Sequence, residues 1–269
     1  LIKDHQTGFV VFTGSVPGGQ QIQAATATRF INTTLELGGK DPAYVCDDSD
    51  VEKSAFSVVD GAVYNAGQSC CAVERCYVHE KVAKRFVECC VENFKTLQLG
   101  DPKNDKTNIG PMASPSAPQF LQKQVEQAVA KGAKILYGSG KACTDATNRG
   151  RFFSPTLLTN CNHTMDVMQE ESFGPVLPIC VVKSDKEAVQ LMNDSKYGLT
   201  AAVYTGDEKR ADLLSRQIET GTVFMNRCDY LDPYLAWTGV KDTGKGVSLS
   251  KHCFEYFIKL KSLNFKVKW

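Results

Sequence analysis

The 269-residue sequence lacks long apolar runs and a dominant charge of either sign. No stretch of about 18 consecutive apolar residues occurs, so no membrane-spanning helix is expected. The 31 Lys and Arg residues nearly balance the 30 Asp and Glu residues, and no basic block stands out. Neither nucleic acid nor a membrane surface is therefore expected as a partner. A hydrophobic content of 42% is typical of a folded globular protein, here one large domain or two ordinary ones.

Targeting and metal-binding motifs are also missing. Residues 1–5 lack the apolar core of a signal peptide. The chain has no initiator Met, so we expect it to begin inside a longer protein. Neither CxxC nor HExxH occurs, so no metal site is expected. The eleven cysteines are odd in number and include the adjacent pairs Cys70-Cys71 and Cys89-Cys90, which argues against a disulfide framework. We therefore expect reduced thiols and an intracellular location, with the cytoplasm favoured.

Short apolar runs alternate with helical patterns along the chain. Strands are predicted at residues 9–12, 76–78, 135–137, 176–182, 201–204 and 222–225, and helices at 20–30, 51–63, 82–94, 121–129, 188–192 and 211–218. This alternation favours an α/β fold with a mostly parallel sheet and helices on both faces. In residues 257–269 apolar side chains alternate with polar ones, mostly Lys, which predicts an edge strand that either guards an edge or pairs with a partner strand.

Cys70 is the candidate nucleophile among the cysteines. It follows a helix end at residues 65–67 and the polar pair Gln68-Ser69, so its thiol can be accessible. A cysteine attacks as the thiolate and needs such an exposed loop, whereas a core cysteine is inert. Cys89, Cys90 and Cys180 fit the role of small core residues. For Cys70 alone, the two interpretations are equally supported.

Two further segments are candidates for binding or catalysis. Glu36 is a lone acid in an apolar, glycine-containing segment, residues 35–40. A buried carboxylate there would suit a general base, but a salt bridge to Lys40 explains the local sequence equally well. Residues 13–19 form a glycine loop between a strand and a helix, where backbone N–H groups can hold a phosphate. The loop does not match GxGxxG, so a plain tight turn is the favoured local interpretation.

Four ordered motifs together resemble the NAD(P)-dependent aldehyde dehydrogenase superfamily. They are Phe-Thr-Gly-Ser at residues 12–15 with Gly19, Leu-Glu-Leu-Gly-Gly-Lys at 35–40, Gly-Gln-Ser-Cys at 67–70, and Glu-Glu-Ser-Phe-Gly-Pro-Val at 170–176. The resemblance covers nearly the whole chain. It implies an aldehyde dehydrogenase-like fold with an incomplete Rossmann-like cofactor domain, and an enzyme that oxidises an aldehyde to a carboxylate.

The resemblance also implies roles for individual residues. Cys70 matches the nucleophile that forms a thiohemiacetal and then a thioester, and its backbone N–H would donate to the oxyanion. Glu36 matches the base that activates water for hydrolysis of the thioester. The residues implied to bind the cofactor, NAD or NADP, are Gly14, Ser15 and Gly19 in the dinucleotide loop, with Leu37, and Glu171 and Phe173 at the nicotinamide ribose and ring.

The resemblance further implies how the chain is organised. Residues 1–41 would be the end of the dinucleotide-binding domain, 42–246 the catalytic domain, and 247–269 a return segment with an oligomerisation strand for a homodimer or homotetramer. Trp237 stands where the family commonly has Phe, so a substrate or cofactor wall is expected to differ. Two alternatives stay open: a truncated, non-catalytic subunit that associates with full-length relatives, and an NAD-independent cysteine acyltransferase or hydrolase, although no His partner for Cys70 is evident.

Overall fold

The structure is a computed structural model and describes residues 1–144 and 150–268. Its strands are β1 Phe9–Thr13, β2 Asn32–Glu36, β3 Asp41–Val45, β4 Val73–His79, β5 Lys134–Tyr137, β6 Ala142–Cys143, β7 Phe152–Phe153, β8 Thr156–Thr159, β9 Val176–Val182, β10 Tyr197–Gly198, β11 Thr200–Tyr204, β12 Thr222–Met225, β13 Val240–Lys241 and β14 Gly244–Lys245. Its α-helices are α1 Val16–Thr26, α2 Val51–Val63, α3 Glu80–Lys95, α4 Ala117–Ala130, α5 Asp166–Gln169, α6 Asp185–Asn193 and α7 Glu208–Ser215, and its 3₁₀ helices are Tyr64–Gly67 and Lys251–Tyr256.

The largest sheet has the strand order β12-β11-β3-β4-β9-β8-β5. Neighbours from β12 to β8 run parallel, and β5 is antiparallel to β8. Every residue of β3, β4 and β11 is buried. Strands covered on both faces need apolar side chains on both, which is why these segments are rich in Ala, Val and Tyr rather than strictly alternating.

A smaller sheet positions the first two motifs. β1 pairs in parallel with β2, and α1 connects them, which makes a βαβ unit. β14 pairs antiparallel with β2, so Gly244 lies opposite Glu36. The end of β1, the start of α1 and the end of β2 therefore meet at one edge of this sheet.

The α/β fold with a mostly parallel sheet is confirmed. The bounds predicted for β9, β12 and α2 match the structure, and the other predicted strands and helices are present with shifted ends. The predicted start of the first helix at Gln20 is wrong. α1 begins at Val16, because Ser15 caps it and Pro17 fits its first turn, and it ends at Thr26, before Phe30.

The predicted edge strand near the C-terminus is wrong for the chain as described. Residues 257–268 form no strand, and Trp269 lies outside the described residues. A strand needs a neighbour for its backbone N–H and C=O groups, and in the described ranges this segment is paired with none. Across the same ranges, no helix has the length and apolar character needed to cross a bilayer.

Candidate active site

One cavity of about 340 Å³ brings the separate motifs together. Its lining is Thr13, Gly14, Ser15, Leu37, Gly38, Cys70, Glu171 and Phe173. The candidate nucleophile thus shares a cavity with every predicted cofactor residue except Gly19. That glycine lies behind the lining, since a Cβ there would be 2.5 Å from Leu37 Cδ1. The absence of a side chain at Gly19 therefore gives the Leu37 side chain room to pack there.

The start of α1 forms one wall of the cavity. Ser15 is the N-cap, and its Oγ accepts a hydrogen bond of 3.3 Å from Gly18 N. Gly14 N donates to the carbonyl oxygen of Glu36 at 3.0 Å, which joins the glycine loop to β2. Free N–H groups and the positive end of the helix dipole make such a terminus suitable for a phosphate.

The loop before Cys70 has an unusual backbone. Asn65, Ala66 and Gly67 have φ values of 50°, 57° and 70°. These are left-handed backbone conformations, which residues other than glycine rarely adopt. Gln68 holds the turn: its Nε2 donates to Asn65 O at 3.1 Å, and its Oε1 accepts from Ala113 N at 2.6 Å. Strained backbone held by its surroundings is common at functional sites.

The two adjacent thiols have different surroundings. Cys70 is half-buried at the cavity, whereas Cys71 is buried. Cys71 Sγ donates to Asp229 Oδ1 at 2.8 Å. The neighbouring Cys71 side chain lowers the pKa of Cys70 below its usual value, against the effects of burial and of the negative charge on Glu36. The neighbouring Cys70, burial and Asp229 all raise the pKa of Cys71. The thiolate is therefore favoured at Cys70.

Glu36 ends β2 beside the cavity rather than lining it. Ser248 Oγ donates a hydrogen bond to Glu36 Oε1. The alternative of a salt bridge between Glu36 and Lys40 is wrong, because Lys40 Nζ lies 2.7 Å from Glu74 Oε2 in a buried ion pair. Lys40 is 1% exposed and Glu74 is 2% exposed. Because a buried charge is costly without an opposite charge beside it, Lys40 pairs with buried Glu74.

Glu171 and Phe173 also line the cavity. Glu171 Oε1 accepts from Gly39 N at 2.9 Å, and burial raises the pKa of Glu171 to about 7. Phe173 has a φ of 52° and stays 42% exposed. A helix N-terminus with glycines, a half-buried carboxylate and an exposed ring fit the phosphate, ribose and flat ring of a dinucleotide. Where the chain is described, no group of three or more His, Cys, Asp or Glu side chains could hold a metal ion.

The aldehyde dehydrogenase family model matches residues 1–263. The chain belongs to the aldehyde dehydrogenase family. It is 36% identical over 263 residues to "Succinate semialdehyde dehydrogenase [NAD(P)+] Sad" of Escherichia coli (strain K12), covering 98% of this chain and 56% of that protein. It is 34% identical to "Betaine aldehyde dehydrogenase 1" of Oryza sativa subsp. japonica, covering 94% and 50%.

Solved structures agree with this membership. A 3,6-anhydro-L-galactose dehydrogenase "in Complex with NAP" superposes with a TM-score of 0.92 at 33% identity, covering 96% of this chain and 54% of that one. A betaine aldehyde dehydrogenase from Staphylococcus aureus "in complex with NAD+" gives 0.88 at 34% identity, covering 94% and 50%. The chain spans about half the length of the curated relatives it matches.

Trp237 lies next to the two cysteines. It is 7% exposed and packs in a small cluster with Cys71 and Leu199, with Cys70 at its margin. Trp237 and Ser248 exchange two backbone hydrogen bonds, of 2.7 and 2.8 Å. The indole ring therefore lies beside the candidate nucleophile, and the Trp237 backbone is joined to the residue that contacts Glu36.

Sequence reasoning missed three residues of this aldehyde dehydrogenase site: Glu74, Asp229 and Ser248. The sequence contains a signal for Glu74, because two charged residues, Glu74 and Arg75, directly precede the predicted buried strand at 76–78. A charge beside a buried strand needs a partner. The sequence contains no such signal for Asp229 and Ser248, since they are 158 residues from Cys71 and 212 from Glu36.

Proposed function

We propose that the protein containing this chain oxidises an aldehyde to a carboxylate with NAD(P)⁺, with Cys70 as the nucleophile and Glu36 as the general base. The observation that carries the proposal is the shared cavity of Cys70, Gly14, Ser15, Glu171 and Phe173. Neither a reactive thiol nor a dinucleotide loop alone would separate this chemistry from other cysteine or nucleotide enzymes.

Acylation of Cys70 is the first half of the proposed reaction. The thiolate attacks the carbonyl carbon, and the Cys70 backbone N–H donates to the oxyanion of the tetrahedral adduct. Bound NAD(P)⁺ supplies the hydride acceptor that turns this chemistry into an oxidation. When the adduct collapses, its oxyanion re-forms the C=O bond, the hydride leaves the carbon, and Cys70 keeps the acyl group as a thioester.

Deacylation is the second half. Glu36 takes a proton from water, the hydroxyl oxygen attacks the thioester carbon, and the C–S bond breaks to release the carboxylic acid and the Cys70 thiolate. The acid then loses its proton to solvent and becomes the carboxylate. The hydrogen bond from Ser248 fixes the position of one carboxylate oxygen and leaves the other available for the water.

Cofactor binding is assigned to two groups of cavity residues. Ser15 and Gly14, with Gly19 behind them, would hold the phosphates at the start of α1, and Leu37 would pack beside them. Glu171 would accept hydrogen bonds from the nicotinamide ribose, and Phe173 would lie against the ring. These roles follow from the residue types and their placement on the cavity wall.

The domain division at residues 1–41, 42–246 and 247–269 belongs to the same proposal, as does assembly into a homodimer or homotetramer through the C-terminal segment. Leu260, Phe265 and Val267 are 96%, 76% and 89% exposed, which favours a covering partner for this segment. The same exposure is what a truncated, non-catalytic subunit would use to associate with full-length relatives. A reducing intracellular location fits eleven free cysteines.

Aldehyde-dependent NADH formation tests the proposal. The test uses the full-length protein, meaning this chain with whatever precedes or follows it in its source, and a panel of acidic, neutral and cationic aldehydes with NAD⁺ or NADP⁺. We expect reduced cofactor and carboxylate in equal amounts with at least one aldehyde. A protein that releases acyl products without reducing cofactor would support the NAD-independent hydrolase, and one that only associates with an active relative would support the non-catalytic subunit.

A further inference from the structure

We propose that Glu74 is a positioning residue: its carboxylate, paired with Lys40, holds the backbone of Ser172 and Phe173 and so places Glu171 and Phe173 on the cavity wall. The inference rests on the proposed function, because it assigns Glu74 to the cofactor side of that site.

The contacts of Glu74 join it to the backbone of the cofactor wall. Its Oε1 accepts from Phe173 N at 2.7 Å, and its Oε2 accepts from Ser172 N at 2.7 Å and from Lys40 Nζ at 2.7 Å. Lys40 Nζ also donates to Ser172 Oγ at 2.8 Å. Three donors converge on one buried carboxylate, and two of them are consecutive backbone amides of the 170–176 motif.

The pair is poorly explained by stability alone. Glu74 is a charge inside β4, where every residue is buried. Two charges withdrawn from water are often no more stabilising than apolar side chains of similar size. Burial lowers the pKa of Lys40, and the charge and hydrogen bond of Glu74 act in the opposite direction. Each charge therefore depends on the other. The hydrogen bonds that Glu74 makes beyond this pair are accepted from the backbone of Ser172 and Phe173.

The segment 39–40 and Glu74 hold three consecutive residues, the two wall residues Glu171 and Phe173 and the buried Ser172 between them. Gly39 N holds the Glu171 side chain at 2.9 Å, Lys40 Nζ holds Ser172 Oγ, and Glu74 holds the amides of Ser172 and Phe173. Phe173 has a φ of 52°, a conformation that a residue with a side chain keeps only when its surroundings fix it. Removing the carboxylate would free this backbone, and both wall side chains would lose their positions.

Three variants in the full-length protein test the assignment. Glu74→Gln keeps the shape but loses the charge, and its amide N–H₂ faces a donor. The double variant Lys40→Met with Glu74→Gln removes both charges, so no unpaired charge is buried. Glu170→Gln is the matched control, since Glu170 precedes the same residues but its side chain pairs with exposed Lys196. The measurements are kcat and KM for NAD⁺ and for aldehyde, the Kd for NAD⁺, the melting temperature, and acylation of Cys70 by p-nitrophenyl acetate, which needs no cofactor.

We expect Glu74→Gln to raise the KM and Kd for NAD⁺ by about 10- to 100-fold, the usual effect of losing a buried hydrogen bond to a charged group. The aldehyde KM and the acylation of Cys70 should stay within about threefold of wild type. The double variant should regain melting temperature but not NAD⁺ affinity, and Glu170→Gln should match wild type. If Glu74→Gln misfolds, the double variant alone decides the question.

Three results would overturn the inference: an unchanged Kd for NAD⁺ in both Glu74 variants, recovery of NAD⁺ affinity in the double variant together with its melting temperature, or equal losses of NAD⁺ affinity and Cys70 acylation. These results are separate from failure of the proposed function. That failure would show in the wild-type protein as absence of aldehyde-dependent NADH, while the Kd for NAD⁺ would still report on Glu74.

Discussion

Cys70 and Cys71 are neighbours in sequence with opposite environments. Cys70 faces the cavity, and the neighbouring Cys71 side chain lowers its pKa. Cys71 is buried against Trp237 and Leu199, and its thiol proton is donated to Asp229. A thiol that keeps its proton does not attack. The division of labour therefore follows from burial and hydrogen bonding rather than from the residue type.

Substitution of each thiol by Ala separates the two roles. In the full-length protein, Cys70→Ala should lower kcat for aldehyde oxidation by at least about a thousandfold, because no nucleophile remains. Cys71→Ala should lose about tenfold or less, since it removes a buried neighbour of the thiolate and not the nucleophile itself. Steady-state NADH formation measures both. Equal losses, or a loss confined to Cys71→Ala, would show that the wrong cysteine has been assigned.

The pH dependence of alkylation tests the electrostatics directly. The alkylation rate follows the thiolate fraction, which rises as pH passes upward through the pKa. Because the pKa of Cys70 lies below the usual 9.0, its reaction with iodoacetamide should reach half its maximal rate below pH 9.0. Cys71, with a raised pKa, should stay unmodified at that pH. Peptide mass spectrometry with fragmentation between the two residues gives both rates, and faster labelling of Cys71 would contradict the account.

At the scale of elements, β9 could be predicted from the sequence because a buried parallel strand is a continuous apolar run. The half-buried edge strand β12 could be predicted because it is a short run of β-branched and apolar residues. The start of α1 could not be predicted, because a cap and a first-turn Pro determine it rather than apolar spacing.

The partner of Lys40 could not be predicted from the sequence either. Local reading offered Glu36, four residues away, whereas the structure joins β3 to β4 and brings in Glu74, 34 residues away.

The candidate site shows the same limit. The resemblance in four motifs brought Cys70, Glu36 and the cofactor residues to attention, and the structure gathers most of them in one cavity. The contacts that hold them, Ser248 to Glu36 and Glu74 to residues 172–173, join segments distant in the chain. Such pairs depend on tertiary packing, which a single sequence does not reveal.

Gly39 lies between β2 and β3, next to the backbone of Cys70. A Cβ at this position would lie 2.1 Å from the Cys70 carbonyl oxygen, a backbone atom that cannot rotate away. Gly39→Ala should therefore displace the Cys70 loop and destabilise the fold by about 1–3 kcal/mol. The readouts are a lower melting temperature and slower acylation of Cys70 by p-nitrophenyl acetate.

Gly110→Ala is the matched control, since a Cβ there would meet nothing within 4 Å. Its effect should stay within about 0.5 kcal/mol. The explanation by close approach is incorrect if the two alanine variants behave alike.

At the scale of the whole molecule, the smaller sheet and the C-terminal segment expose apolar side chains, whereas the centre of the seven-stranded sheet does not. The central strands β3, β4 and β11 of the seven-stranded sheet are buried. In contrast, β1 pairs only with β2 among the described strands and leaves Val11 56% exposed. The apolar side chains of residues 257–267 are exposed as well. Unpaired strand edges and apolar patches associate with other chains.

The 269-residue chain alone is therefore expected not to oxidise aldehydes. It should aggregate or require a partner, and residues 42–246 should be the part best able to fold alone. Size-exclusion chromatography with light scattering, followed by the NADH assay, checks this. A monodisperse, NAD⁺-binding chain of this length that turns over an aldehyde would contradict the prediction.

The central claim, that Cys70 carries the acyl group and Glu36 removes it, is tested most directly by trapping the thioester. In full-length Glu36→Gln, mixed with NAD⁺ and an aldehyde, acylation should proceed and water activation should fail. We expect a burst of NADH close to one per active site, then slow turnover, with the acyl mass located on Cys70 by fragmentation of the peptide that carries both cysteines. An acyl group on Cys71, or a burst with no acyl adduct on the protein, would contradict the account.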